Sequence, residues 1–210
     1  MPMRQIHGQA GFRRALSRRA IGAGGAAILA IGASAIAFSA QPLAAQTSTP
    51  ACEARGSQDS LAARPSPLDS TTVRVGDRAV KVCYSRPRAR GRVIFGQLVP
   101  YGTTWRTGAN EPTMLFLPDT MEVAGVRLGP GRYILTTVPE QEAWTLLFNT
   151  TSESDPARMS RALEEVGRAE LPVRTLSTPV EQFTIRADSA NRATALVFEW
   201  ERTQVAVPIR

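Results

Sequence analysis

The chain has 210 residues, with 25 Lys and Arg against 18 Asp and Glu, a formal net charge of +7. Its 43% hydrophobic and 20% charged residues suffice to bury a core, which excludes wholesale disorder. Aromatics at 6% leave little material for a base-stacking surface, and the single histidine is His7.

Residues 1–45 contain Arg4, Arg13, Arg14, Arg18 and Arg19 and no acidic residue. An uncharged stretch rich in Ala, Gly and Ile follows from Ala20 to Ala40, and Leu43-Ala44-Ala45 offers a small-residue exit before Gln46. A basic region, an apolar region and a small-residue cleavage site together read as a secretory signal peptide. Ser17-Arg18-Arg19-Ala20-Ile21 resembles a twin-arginine export motif. Two alternatives stay open. The apolar stretch has the length of an uncleaved anchor, although its glycines and serines weaken that reading. Cys52 is an acylation candidate, but Thr49-Pro50-Ala51 lacks the large aliphatic residue such a site uses. The expected location is periplasmic or secreted, with the membrane met only transiently through the leader.

Over residues 46–210 the count falls to 20 basic and 18 acidic residues, a net of +2 with no histidine. That excludes Ser-His-Asp and Cys-His catalysis and imidazole-ligated metals, and Cys52 and Cys83 cannot build a four-thiolate site. No Gly-rich phosphate loop is present, so no metal and no cofactor is expected. In an oxidising compartment the two cysteines are expected to form one disulfide.

Residues 46–70, with Pro50, Pro65 and Pro67 and no aromatic, read as a flexible linker. From Thr71 the pattern changes to short apolar alternations between turns. Val73 and Val75 lead to the turn Gly76-Asp77, after which Val80, Val82 and Tyr84 share a face. Met114 to Leu117 is a wholly apolar strand, and Ala124-Gly125 sits at a hairpin between Glu122-Val123 and Val126-Arg127. Tyr133, Leu135 and Thr137 alternate, as do Trp144, Leu146 and Phe148. Asp155 as a cap, Pro156 at the first helical position, and Met159, Leu163 and Val166 at helical spacing predict a short helix. Phe183 and Ile185 precede a turn at residues 188–191, then Leu196, Phe198 and Trp200 share a face, as do Val205, Val207 and Ile209. The expectation is all-β: a β-sandwich of about eight or nine mostly antiparallel strands with one short helix over residues 71–210. Trp144, Phe148, Phe198 and Trp200 are expected in its core.

The stretch from Tyr84 to Glu111 does not alternate and is dense in Gly, Pro, Arg and aromatics. Tyr84-Ser85-Arg86-Pro87, Gly91-Arg92, Phe95-Gly96, Leu98-Val99-Pro100-Tyr101-Gly102 and Trp105-Arg106-Thr107-Gly108-Ala109-Asn110-Glu111 resemble the motifs of domain-of-unknown-function family 2911, exported bacterial proteins. Pro130-Gly131-Arg132-Tyr133, Trp144 and Pro179-Val180-Glu181-Gln182-Phe183-Thr184-Ile185 extend the resemblance over roughly residues 70–210. Residues 150–170 depart from the family's Trp-Gly and Tyr-Asp pattern. The resemblance implies an exported β-rich domain and no assigned activity.

Between Arg74 and Arg106 there are eight basic residues and one acid, Asp77, a local net of +7 set against −5 for the rest of residues 46–210. This concentration argues against nucleic acid as partner. If extended, Arg86, Arg88, Arg90 and Arg92 project to one side as a row of fork donors for carboxylate, sulfate or phosphate; otherwise they pair with the domain's own acids. Arg106, Asn110 and Glu111, with Gly108 allowing a turn, are candidates to converge on one ligand beside a wall of Tyr101 and Trp105; the same residues are also suited to a buried polar network. The ligand-binding candidates are therefore Arg86, Tyr101, Trp105, Arg106, Asn110 and Glu111, with no catalytic residue assigned. The expected function is a non-catalytic binding module for a small anionic or sugar-like ligand or an envelope protein partner. A histidine-free hydrolase using Glu111 with Arg106, and a structural envelope module, are the alternatives.

Overall fold

The computed structural model describes residues 49–155, 158–189 and 194–210. The expected leader, residues 1–45, lies outside the described residues, as do Pro156 of the expected helix and most of the turn after Asp188.

The fold is all-β. Strands β1 (Leu68–Val75), β2 (Arg78–Ser85), β3 (Thr113–Leu117), β4 (Met121–Val123), β5 (Val126–Leu128), β6 (Gly131–Pro139), β7 (Ala143–Thr151), β8 (Leu163–Asp188) and β9 (Thr194–Ile209) follow in chain order. The one α-helix among the described residues, α1 (Gln58–Ala62), precedes them, and Ser57 caps it by accepting from the Ser60 N–H at 3.3 Å. All nine strands belong to one antiparallel sheet in the order β1-β2-β3-β6-β7-β8-β9-β4-β5. In place of two separate sheets, one continuous sheet folds back on itself. The first part of β8 pairs with β7, from Thr151–Leu163 to Ala143–Pro172, and the remainder pairs with β9. The fold-back brings β1 and β2 over β8: Tyr84 Oη accepts from the Ile185 N–H at 2.9 Å, and Thr71 Oγ1 donates to the Ile185 carbonyl.

The main core lies inside this fold. Trp144, Phe148, Phe198 and Trp200 are fully buried there, as expected from their alternation, with Val80, Val82, Leu115, Leu135, Phe183 and Ile185. β3 is buried on both faces, which is why its sequence carries no polar alternation. Leu115 and Leu117 face the main core, while Met114 and Phe116 join a second cluster with Cys83, Ile134 and Met159.

Three expectations from sequence change. The helix expected after Asp155 is only a 3-10 turn at Met159–Arg161; Leu163 and Val166 stand in β8. Pairing along β7 takes up nine of residues 163–172, and Gly167 within the segment disfavours a helix, so sheet formation overrides the helical spacing. Val205, Val207 and Ile209 continue the same strand as Phe198 and Trp200. Finally, part of the segment read as a linker forms α1 and lies against the domain. Cys52 is disulfide-bonded to Cys83 on β2, Glu53 pairs with Arg132 at 3.1 Å, and Lys81 Nζ donates to the Pro50 carbonyl at 2.8 Å.

Candidate functional site

The Tyr84–Glu111 stretch leaves β2, crosses one end of the fold, and re-enters at β3. Its first part is built onto an irregular region of β8. Between the pairs Thr175–Thr203 and Val180–Glu201, four residues of β8 stand against one of β9; three stand against one between Val180–Glu201 and Thr184–Glu199. Pro179, without an N–H, sits in the first of these bulges. The displaced β8 backbone is taken up by the loop: the Phe183 N–H donates to the Pro87 carbonyl at 2.9 Å and the Ala89 N–H to the Glu181 carbonyl at 2.8 Å. Two carboxylates complete the anchoring, since Glu181 accepts from the Arg90 N–H at 2.9 Å and Glu201 from the Ile94 N–H at 3.1 Å.

The loop then inserts aromatics. Phe95 and Trp105 meet Trp144, Trp200 and Phe183, with Trp105 stacked on Trp200 (centroids 5.7 Å, 22° between planes) and edge-on to Trp144 and Phe183. Trp105 is held by exchanging both backbone hydrogen bonds with Thr137, at 2.7 and 2.9 Å. It is thus a plug in the core end more than an open stacking wall. Tyr101 is exposed and lies over Gly96, where a Cβ would come within 2.8 Å of the ring.

The run from Trp105 to Glu111 is a tight internal structure. Thr107 (φ 56°), Gly108 (φ 152°) and Asn110 (φ 55°) all have positive φ, a conformation that is costly for a β-branched residue such as Thr107. Buried hydroxyls hold it: Thr113 Oγ1 donates to the Thr107 carbonyl at 2.6 Å, and Thr107 Oγ1 to Thr137 Oγ1 at 3.1 Å. Only glycine fits at position 108, where a Cβ would stand 3.0 Å from the Ser85 carbonyl and 3.1 Å from Thr113 Oγ1.

The six residues singled out from sequence do not converge. Arg86 is spent on structure, with Nη1 to Asp69 at 3.0 Å, Nε to the Phe183 carbonyl and Nη2 to Thr184 Oγ1. Arg106 donates to the Asn110 carbonyl at 3.0 Å, and Asn110 Nδ2 to the Ser66 carbonyl at 2.9 Å. Glu111 turns away from Arg106: Arg64 Nη1 reaches both its oxygens at 2.8 Å, and the Arg55 N–H reaches Oε1 at 3.3 Å. Sequence reasoning missed Arg64 because it falls in the supposed linker, 47 positions before its partner. The arginine row is not extended either. Arg90 (φ 52°) and Gly91 (φ 71°) turn the chain, so Arg92 folds back to donate to the Ala89 and Arg88 carbonyls. Glu199 and Glu201 are likewise occupied, the first by Arg186 and Gln204, the second by the loop backbone. Among the described residues, no group of three or more His, Cys, Asp or Glu is placed to hold a metal ion.

Burial alone would raise the pKa of Glu111, but the Arg64 hydrogen bond, the N–H groups of Glu111 and Arg55, and the Arg64 charge outweigh it and hold the carboxyl below the usual glutamate value. A folded-state pKa below the unfolded one stabilises the fold above the unfolded value, about 4.3, and that contribution vanishes as pH falls through the folded value. Urea unfolding of wild type and Glu111→Gln should therefore differ by a constant amount from neutral pH to about pH 5 and converge on acidification below about pH 4. A gap that widens in acid contradicts this.

No curated protein and no solved structure matches the chain. Residues 66–209, which include the bulged β8, the aromatic plug and the Trp105–Glu111 turn, match a family described as "Protein of unknown function (DUF2911)", and the chain belongs to that family.

Proposed function

We propose that this protein is exported to the periplasm or beyond and works there as a non-catalytic binding module, with the loop from Arg88 to Tyr101 as its contact surface. One observation carries the reading: a loop anchored at both ends presents exposed arginines beside exposed apolar side chains. Val93, Leu98 and Tyr101 are 48%, 46% and 37% exposed, and they follow directly on exposed Arg88, Arg90 and Arg92. None of these three arginines takes part in an ion pair among the described residues. The nearby Glu181 and Glu201 are directed to loop N–H groups instead. Guanidinium donors next to apolar surface suit an acidic protein partner with apolar residues of its own. The leader-like residues 1–45 and the Cys52–Cys83 disulfide support export to an oxidising compartment.

The probe is a fluorescein-labelled peptide of repeated Glu-Glu-Leu. Substituting Arg88, Arg90 and Arg92 together by Gln should weaken its binding about tenfold or more, and added salt should weaken the wild-type complex. Leu98→Ser should weaken it further, while Arg74→Gln with Arg78→Gln should leave it unchanged. Binding that survives the triple substitution, or is absent from the wild type at low salt, overturns the proposal.

A further inference from the structure

We infer that Glu111 is a receptor for a guanidinium group and that, in this chain, the N-terminal segment fills it with Arg64. The receptor and its occupant come from different parts of the chain. Glu111 lies within the family's span of residues 66–209, whereas Arg55 and Arg64 lie before it. The receptor is built mainly by the domain: the positive-φ run that delivers Glu111 is held by Thr107, Thr113 and Thr137, with Asn110 tied to Ser66 at the edge of the family's span. The occupant is presented by a strap with its own fastenings. Cys52 is bonded to Cys83, Glu53 pairs with Arg132, Arg55 pairs with Asp155, and Ser66 accepts from Asn110.

The chemistry at the carboxylate selects the ligand class. One guanidinium nitrogen of Arg64 bridges both Glu111 oxygens, and its other terminal nitrogen donates to the Arg55 carbonyl. A planar fork with several donors meets both acceptors together, which a single ammonium point charge does less well. The natural competitor is therefore an arginine side chain, free in a small ligand or carried on a peptide. The site is separate from the Arg88–Tyr101 surface, and either proposal can fail without the other.

The test uses the full chain with its disulfide intact. Wild type, Arg64→Ala and Arg64→Gln are titrated with N-acetylarginine amide and N-acetyllysine amide, and binding is read by NMR. Both variants should bind the arginine amide at least about tenfold more tightly than wild type and prefer it to the lysine amide. Adding Glu111→Gln to either should abolish that binding. Equal affinity in wild type and variants, or affinity indifferent to Glu111→Gln, overturns the inference. If the Arg64 variants do not fold, the wild type decides. A tethered group acts at an effective concentration on the order of millimolar, so roughly 0.1 M arginine amide should displace Arg64 and move its guanidinium nitrogen signals towards those of a free side chain. Signals that stay in place under those conditions overturn it equally.

Discussion

Trp105→Ala is expected to destabilise the fold by about 3 to 5 kcal/mol, the usual cost of emptying a large aromatic from a core. The indole is only partly buried, yet it meets four aromatic rings. It stacks on Trp200, meets Trp144 and Phe183 edge-on, and stands 6.0 Å from Phe95. Its removal leaves a void bounded by four aromatic rings whose positions are set by β7, β8, β9 and the loop, so collapse around it is restricted. The loop loses its inner plug as well, and the exposed arginines and apolar residues before it lose their platform. Urea unfolding measures the loss, and near-ultraviolet circular dichroism should show the Trp105–Trp200 stacking signal disappear. A loss under about 1 kcal/mol would place Trp105 among surface coverings instead.

Cys52→Ser with Cys83→Ser is expected to cost about 3 to 4 kcal/mol, from the chain entropy returned to the unfolded state. The bridge spans a sequence separation of 31, and it ties the strap to the outer face of the sheet beside Met114, Phe116 and Met159. Its loss should also raise hydrogen exchange in residues 50–67 more than in β3 or β9, because the remaining fastenings are polar and partly exposed. Unchanged stability together with unchanged exchange would show that the strap is held without the disulfide.

Much of the fold is legible in the residues. Alternation places Val80, Val82 and Tyr84, or Leu196, Phe198 and Trp200, on a buried face, because a strand's side chains repeat every two residues whatever its partner. Two cysteines behind an expected export leader suffice to name the Cys52–Cys83 bridge. The dense motif from Tyr84 to Glu111 marks the family and the most specialised loop. The site is less legible. Arg86, Asn110 and Glu111 stand out in the sequence as ligand-binding candidates of that loop, but in the fold their partners are Asp69, Ser66 and Arg64. No local pattern encodes these pairings.

Residues 163–188 show the same division at the level of the chain. Their polar, Gly- and Pro-containing sequence carries helical spacing at its start and clear alternation only near Phe183 and Ile185, yet they form one strand of 26 residues. β7 and β9 supply backbone partners along it, and the loop after β2 pairs with its second bulge. The sequence settled the all-β class, the buried aromatics, the disulfide and the place where charge gathers, since these follow from composition and short-range period. Strand order, the fold-back of the sheet and the pairing of Glu111 with Arg64 were decided in three dimensions. Backbone hydrogen bonds are indifferent to side-chain identity, and a buried carboxylate takes whichever cation the folded chain brings within reach.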